Sequence, residues 1–136
     1  MKKNILLFLT LTLFFFDCKK QKQPEFNDPD WRRESLEISY NICEKLESCL
    51  TQDDLSKIKK GLQNYAKSEV KPEKCNEKTK KSRVYILTGE NPQKIKEVSR
   101  NCYLEIQKFS CEEIRAGAIK SSIPCEEMRK IQQGIE

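Results

Sequence analysis

The most apolar part of the chain lies near its N-terminus and leaves no polar face. Residues 5–16 are apolar apart from two threonines, and a pair of lysines precedes them. A membrane-spanning helix needs about 20 apolar residues, and a helix packed in a globular core keeps a polar face. We therefore predict that residues 1–17 are an export signal rather than a membrane anchor or a core helix.

Beyond residue 27, apolar residues recur with helical spacing. The first predicted helix has Asp28 as its N-cap and Pro29 at its first position, and it runs to about Leu50. Its apolar residues cover an arc of roughly 200° around the helix axis. An arc this wide predicts a helix with neighbours on two sides, at the centre of the fold.

Further helices are predicted from capping residues and prolines. Their starts are Thr51 with Asp54, Pro72, Asn91 with Pro92, Ser110 with Glu113, and residues 121–124. The helix from Thr51 should continue through Tyr65, and the helix from Pro72 through Ile86. Residues 84–87 also fit a short strand, but helix is favoured because no partner strand is visible. The predicted fold class is all-α, a small bundle of about five to six short helices cross-linked by disulfides.

Six cysteines lie beyond residue 27, and they predict three disulfides. They are Cys43, Cys49, Cys75, Cys102, Cys111 and Cys125. An even set in an exported chain is typical of a disulfide framework. The alternatives are zinc, which favours cysteine pairs two to four residues apart, and redox catalysis, which uses Cys-x-x-Cys. Neither pattern occurs.

The helix geometry limits the fifteen pairings that six cysteines allow. On one helix, Cys43 and Cys49 point about 120° apart, so they should bond to different segments. Cys102 and Cys111 would lie on opposite faces of an unbroken helix. The capping pattern at Ser110 instead predicts a break near Phe109, which frees Cys111.

The junction of residues 14–18, Phe-Phe-Phe-Asp-Cys, resembles a bacterial lipoprotein signal. Phe16 and Asp17 replace the small residues that usually precede the lipidated cysteine. Phe-rich forms of this motif are found in spirochaetal lipoproteins, and the whole chain is similar to their small cysteine-rich members. The resemblance implies that Cys18 is the lipid attachment site and that the membrane is a partner through this lipid.

The same resemblance organises the chain into three parts: the signal at residues 1–17, a lipidated cysteine with a flexible tether at residues 18–27, and a disulfide-stapled helical domain at residues 28–136. It also implies export to the bacterial cell envelope. Lys19 and Lys20 follow the cysteine without the acidic residues typical of inner-membrane retention, which favours the outer membrane.

Charge and composition argue against several functions. The 26 basic and 21 acidic residues alternate without forming a block, so nucleic acid is not an expected partner. The chain has no histidine, and its four glycines occur singly, so neither the commonest general base nor a phosphate-binding loop is present. Three carboxylate pairs, at residues 53–54, 112–113 and 126–127, lie where a helix dipole favours them. No enzyme activity, cofactor or metal is expected.

Two functions therefore remain from the sequence. The first is a non-enzymatic binding or structural role in the envelope. Its partner is unknown, with a protein as the candidate, and it would contact the outer surface of the domain. Tyr103 lies off the apolar stripe of its helix and is the candidate binding residue. The alternative is a carrier that holds a small ligand or lipid in a cavity between helices.

Overall fold

A computed structural model describes residues 27–135, and within that range the protein is all-α. It is 78% helical and contains no strand in the described part of the chain. Nine α-helices occur in this range, of which five have seven or more residues, and three disulfides connect them. The predicted fold class is confirmed. The predicted signal, Cys18 and tether residues 19–26 lie outside the described residues.

The helices are α1 (Pro29–Cys49), α2 (Gln52–Ser56), α3 (Gln63–Glu69), α4 (Pro72–Thr79), α5 (Arg83–Ile86), α6 (Pro92–Lys108), α7 (Cys111–Arg115), α8 (Ala118–Ser121) and α9 (Ile123–Gln133). A 3₁₀ turn at Lys60–Leu62 precedes α3.

The predicted caps are present at four of these helices. The Asp28 carboxylate accepts a 2.9 Å hydrogen bond from the Trp31 amide at the start of α1. Reciprocal capping boxes begin α2 and α7, and an asparagine caps α6 before its first-turn proline. Each cap satisfies amide groups that have no partner within the helix.

Helix α1 lies at the centre and runs parallel to α6. Lys96 of α6 pairs with Asp28 just before α1, at 2.6 Å. At the far end, the Lys45 ammonium donates a 2.8 Å hydrogen bond to the Gln107 carbonyl. Two helices can run parallel only if the chain between them returns to the end at which the first helix began. Helices α2 to α5 form this connection between α1 and α6.

Helices α4 and α9 run antiparallel to their neighbours. Along α1 and α4, Ser39 bonds to Thr79 at 2.7 Å, and Cys43 bonds to Cys75 one turn further along α1. Helix α9 likewise packs on α6 in the antiparallel orientation. Helix α1 also contacts α5 and α7, so the prediction of neighbours on two sides is confirmed.

The hydrophobic core lies where α1, α5, α6 and α9 meet. Its most deeply buried members are Trp31 at 1% exposure and Ile95 at 0%. Val84, Val98 and Ile131 complete the contact between these helices. The core is small, which makes the cross-links important for stability.

The predicted helix from Thr51 to Tyr65 is wrong, because the chain breaks after Ser56 and turns before Lys60. Leu55 is buried, but Leu62 and Tyr65 are 52% and 62% exposed. Without a buried stripe, tertiary packing does not hold a longer helix. The Gln63 side chain then bonds to the carbonyl of Ile58 across the turn.

The predicted helix from Pro72 to Ile86 is also interrupted, at residues 80–82. Ser82 caps a new helix, α5, by accepting a hydrogen bond from the Tyr85 amide. The favoured helical interpretation of residues 84–87 is confirmed for Arg83–Ile86, after which Leu87 takes a left-handed conformation at φ 53°.

Candidate functional site

An apolar cleft separates α1 from α8 and α9. Its wider part has a volume of about 450 Å³. Its apolar walls come from four helices and comprise Ile42, Leu46, Cys102, Ile106, Ile119, Cys125 and Met128. Four of these, Ile42, Leu46, Ile119 and Met128, are only half-buried. These four side chains therefore present apolar surface to the interior of the cleft.

A narrower part of about 230 Å³ continues the cleft toward the N-terminal end of α1. Trp31 and Ile38 of α1 line it together with Val84 of α5. Ile42, Met128 and Gln132 line both parts, so the two parts are adjacent. We call the two parts together the α1–α9 cleft.

The floor of the α1–α9 cleft follows from the sequence of α1. Ile38, Ile42 and Leu46 are spaced four residues apart and therefore share one face of the helix. With Trp31 at the other end, this face extends for about 22 Å at 1.5 Å per residue. The floor is long enough for an extended chain molecule.

Two disulfides hold the walls of the α1–α9 cleft. Cys43 and Cys75 join α1 to α4 beside the narrow part, and Cys102 and Cys125 join α6 to α9 beneath the wide part. The third bridge, Cys49–Cys111, connects the end of α1 to α7. The six predicted cysteines are thus all paired, and Cys43 and Cys49 belong to different bridges as the helix geometry required.

Charged side chains stand at the rim of the wide part. The Arg129 guanidinium donates hydrogen bonds of 2.7 and 2.6 Å to the two oxygens of Glu126. These bonds hold the pKa of the Glu126 carboxyl below its usual range. Lys120 and Gln132 are exposed beside this pair.

Tyr103, the predicted binding residue, is half-buried between α1 and α6. Its hydroxyl accepts a 3.3 Å hydrogen bond from the Asn41 amide. It lines a groove of about 340 Å³ with Glu34, Arg100 and others, so it lies at the surface but has an internal partner. Tyr103 does not line the α1–α9 cleft, although it packs against the core cluster that contains Trp31 and Ile38.

The more exposed apolar residues of this surface were not singled out from the sequence. Leu104 is 54% exposed and Ile123 is 81% exposed, and both line a groove of about 390 Å³ between α6 and α9. Leu104 also borders the Tyr103 groove. Tyr40 and Tyr65 are also exposed, at 38% and 62%.

Two of the three carboxylate pairs lie in first helical turns, and of the third pair Glu126 lies in the first turn of α9 while Glu127 follows it. Asp54 and Glu113 complete capping boxes, and Glu126 pairs with Arg129. Within residues 27–135, no group of three or more histidine, cysteine, aspartate or glutamate side chains is placed to hold a metal ion. None of the helices in this range has the length and apolar composition needed to cross a membrane.

No protein-family profile, curated protein or solved structure matches this chain.

Proposed function

We propose that this protein is a non-enzymatic binding protein of the bacterial cell envelope and that it holds a small apolar ligand in the α1–α9 cleft. The observation that carries the proposal is the wide part of the cleft, about 450 Å³ with apolar walls and a charged rim. Ligand sites in proteins occupy about 300–1,000 Å³ and combine apolar walls with a few polar groups. An alkyl chain matches this shape and chemistry.

The driving force for binding would be burial of the ligand against half-buried walls. Each methylene group removed from water contributes about 0.8 kcal/mol. The walls are fixed in advance by the Cys43–Cys75 and Cys102–Cys125 bridges, so little of this gain is spent on ordering the protein.

The anchor in this proposal is Cys18, which the lipoprotein-like signal supports. The predicted tether of residues 19–27 would span roughly 15–18 Å if it behaves as a coil of nine residues, which would keep the cleft near the lipid headgroups. Several acyl chains on one cysteine would make the attachment stable, whereas a single chain gives only marginal binding.

The anchor is tested by the intact mass of membrane-extracted protein, measured with and without reduction before alkylation. We expect a chain that begins at Cys18 and carries acyl groups, with six alkyl groups added only after reduction. A Cys18→Ser variant should leave the membrane fraction. An unprocessed, unacylated mass would rule out this anchor and would leave the cleft proposal standing on its own test.

The ligand site is tested with dodecanol, a neutral alkyl probe, by isothermal titration calorimetry on the disulfide-bonded domain. Leu46→Gln places an amide in the cleft floor and should weaken binding about tenfold, equivalent to about 1.4 kcal/mol. Leu104→Gln makes the same change on the outer surface and should leave the affinity unchanged. Absence of binding to the unaltered domain would exclude the proposal.

A second candidate function is docking of a macromolecule on the outer surface around Leu104 and Ile123. It is favoured by the high exposure of these two apolar side chains, which line the same groove. If Leu104→Gln weakens alkyl binding and Leu46→Gln does not, the outer surface is the binding site and this second candidate replaces the first.

A further inference from the structure

We propose, resting on the function above, that the ligand of the α1–α9 cleft is a long-chain fatty acid. Its carboxylate lies at Lys120, and its alkyl chain runs along the floor formed by α1 toward Trp31. The inference follows from the pairing of the charges that line the cleft.

Three cationic side chains line the α1–α9 cleft, and two of them already have carboxylate partners. Lys78 pairs with Glu69, and Arg129 pairs with Glu126 at 2.6 Å. Lys120 has no ion pair with any residue in the range 27–135. The rim therefore keeps one unneutralised positive charge, and an anionic headgroup complements it.

The position of Lys120 gives the ligand its direction. Lys120 is exposed and lies on α8 next to Ile119, at the wide part that Leu46 also lines. The narrow part ends against Trp31, which is 1% exposed. A charged head remains hydrated at the wide part, whereas an alkyl tail gains most by entering the narrow one.

The opposite orientation is disfavoured because the two serine hydroxyls that line the narrow part beside Trp31 already donate hydrogen bonds. The Ser35 hydroxyl donates to the Arg32 carbonyl at 3.1 Å, and the Ser99 hydroxyl donates to the Ile95 carbonyl at 2.7 Å. A carboxylate placed beside these serines would lose its hydration without gaining a donor from either hydroxyl.

The headgroup is tested by comparing dodecanoate with dodecanol by titration calorimetry at neutral pH. We expect Lys120→Gln to weaken dodecanoate binding about two- to fivefold, the range of an exposed ion pair. Dodecanol binding should not change. The control Lys130→Gln removes an equal charge from α9 outside the cleft lining and should leave both affinities unchanged.

The outcomes separate the two proposals. If dodecanol binds and Lys120→Gln leaves dodecanoate affinity unchanged, or Lys130→Gln lowers it equally, the fatty-acid inference is wrong and the apolar cleft remains. If neither probe binds, the proposed function itself fails.

The direction of the chain is tested by fluorescence, since Trp31 is the only tryptophan in the sequence. Hexadecanoate brominated at its terminal carbon should quench Trp31 emission strongly, because the bromine is a heavy-atom quencher and would lie against the indole. Unbrominated hexadecanoate is the matched control. If the brominated acid binds without quenching, the tail does not reach the Trp31 end and the orientation is wrong.

Discussion

The indole Nε1 of Trp31 donates a 2.8 Å hydrogen bond to the carbonyl oxygen of Val84, which lies 53 residues further along the chain. Val84 belongs to a single turn of helix, so its carbonyl is one of those that a short helix leaves without an internal partner. Trp31 thus holds α5 on α1 and also fills the narrow end of the α1–α9 cleft.

Replacing this indole tests its contribution to stability. Trp31→Phe keeps an aromatic ring but leaves the buried Val84 carbonyl without a donor, which costs about 1–3 kcal/mol. The check is the free energy of unfolding from urea titration followed by circular dichroism. Tyr65→Phe removes a polar group from an aromatic residue that is 62% exposed and should change little. Equal stability of the two variants would contradict the assigned role of the hydrogen bond.

Glycine substitutions test the end of α9. Gly134 has φ 69°, and a β-carbon there would lie within 3 Å of the Arg83 guanidinium. Gly134→Ala should therefore destabilise the protein by about 1–2 kcal/mol, the penalty of a left-handed conformation. The matched control is Gly61→Ala, where no atom lies within 4 Å of the new carbon. This substitution should be neutral or slightly stabilising in thermal unfolding, and a larger loss at Gly61 than at Gly134 would refute the interpretation.

The Cys49–Cys111 bridge should be the most sensitive to reductant. Cys111 is half-buried, whereas the other five bridged cysteines are at most 9% exposed. Because thiol exchange requires access to a sulfur, brief treatment with a mild reductant followed by alkylation and peptide mass mapping should label these two cysteines first. Labelling of Cys102 and Cys125 ahead of them would contradict this order.

Loss of the same bridge should also have a large thermodynamic effect. It closes a sequence separation of 62 residues, against 32 for Cys43–Cys75 and 23 for Cys102–Cys125. Chain entropy alone then gives it about 4 kcal/mol. The double variant Cys49→Ala/Cys111→Ala should lower the free energy of unfolding accordingly, and an unchanged urea midpoint would show that the bridge does not constrain the unfolded chain.

Acid should weaken the contact between α1 and α6. Arg100 donates bonds of 2.5 and 2.7 Å to Glu34, and this hydrogen bonding lowers the pKa of the Glu34 carboxyl below its usual range. Since the pKa is lower in the folded state, the stabilisation is complete above the unfolded pKa and is lost as pH falls through the folded value. The loss therefore begins below about pH 4.

The matched pair for this pH effect is Glu34→Gln and Glu44→Gln. Both side chains lie on α1, but Glu44 has no ion pair within residues 27–135. Glu34→Gln should reduce the difference in unfolding free energy between pH 7 and pH 3 by up to about 1 kcal/mol, as for an exposed pair. An equal reduction in both variants would exclude a specific role for Arg100.

Local signals in the sequence were sufficient to locate helix starts but not helix breaks. The caps at Asp28, Thr51 and Ser110 depend on residues three positions away, so a short window of sequence contains both partners. The interruption before α5 coincides with the contact from Trp31, 53 residues earlier, which no local pattern reveals. The break at residues 80–82 was missed for this reason, whereas the break after Ser56 was missed because the exposure of Leu62 and Tyr65 is a tertiary feature.

Only part of the α1–α9 cleft could be predicted from the sequence. The wide apolar arc of α1 correctly predicted neighbours on two sides. However, the same apolar residues suit a helix face packed in a core and a helix face that lines a cleft, so the sequence does not distinguish the two. Whether Ile42 and Leu46 touch another helix or face open space depends on the spacing of α8 and α9. That spacing follows from the Cys102–Cys125 bridge and the packing of α6, which are tertiary features.

The three bridges overlap along the chain, because Cys43–Cys75, Cys49–Cys111 and Cys102–Cys125 span ranges that interlock. A protease that cuts the backbone once, anywhere between residues 43 and 125, therefore leaves two fragments that are still covalently joined. A nicked domain would migrate as one species on a non-reducing gel and as two after reduction. A single cut of this kind would therefore leave α1 and α9, the two helices that border the cleft, covalently joined.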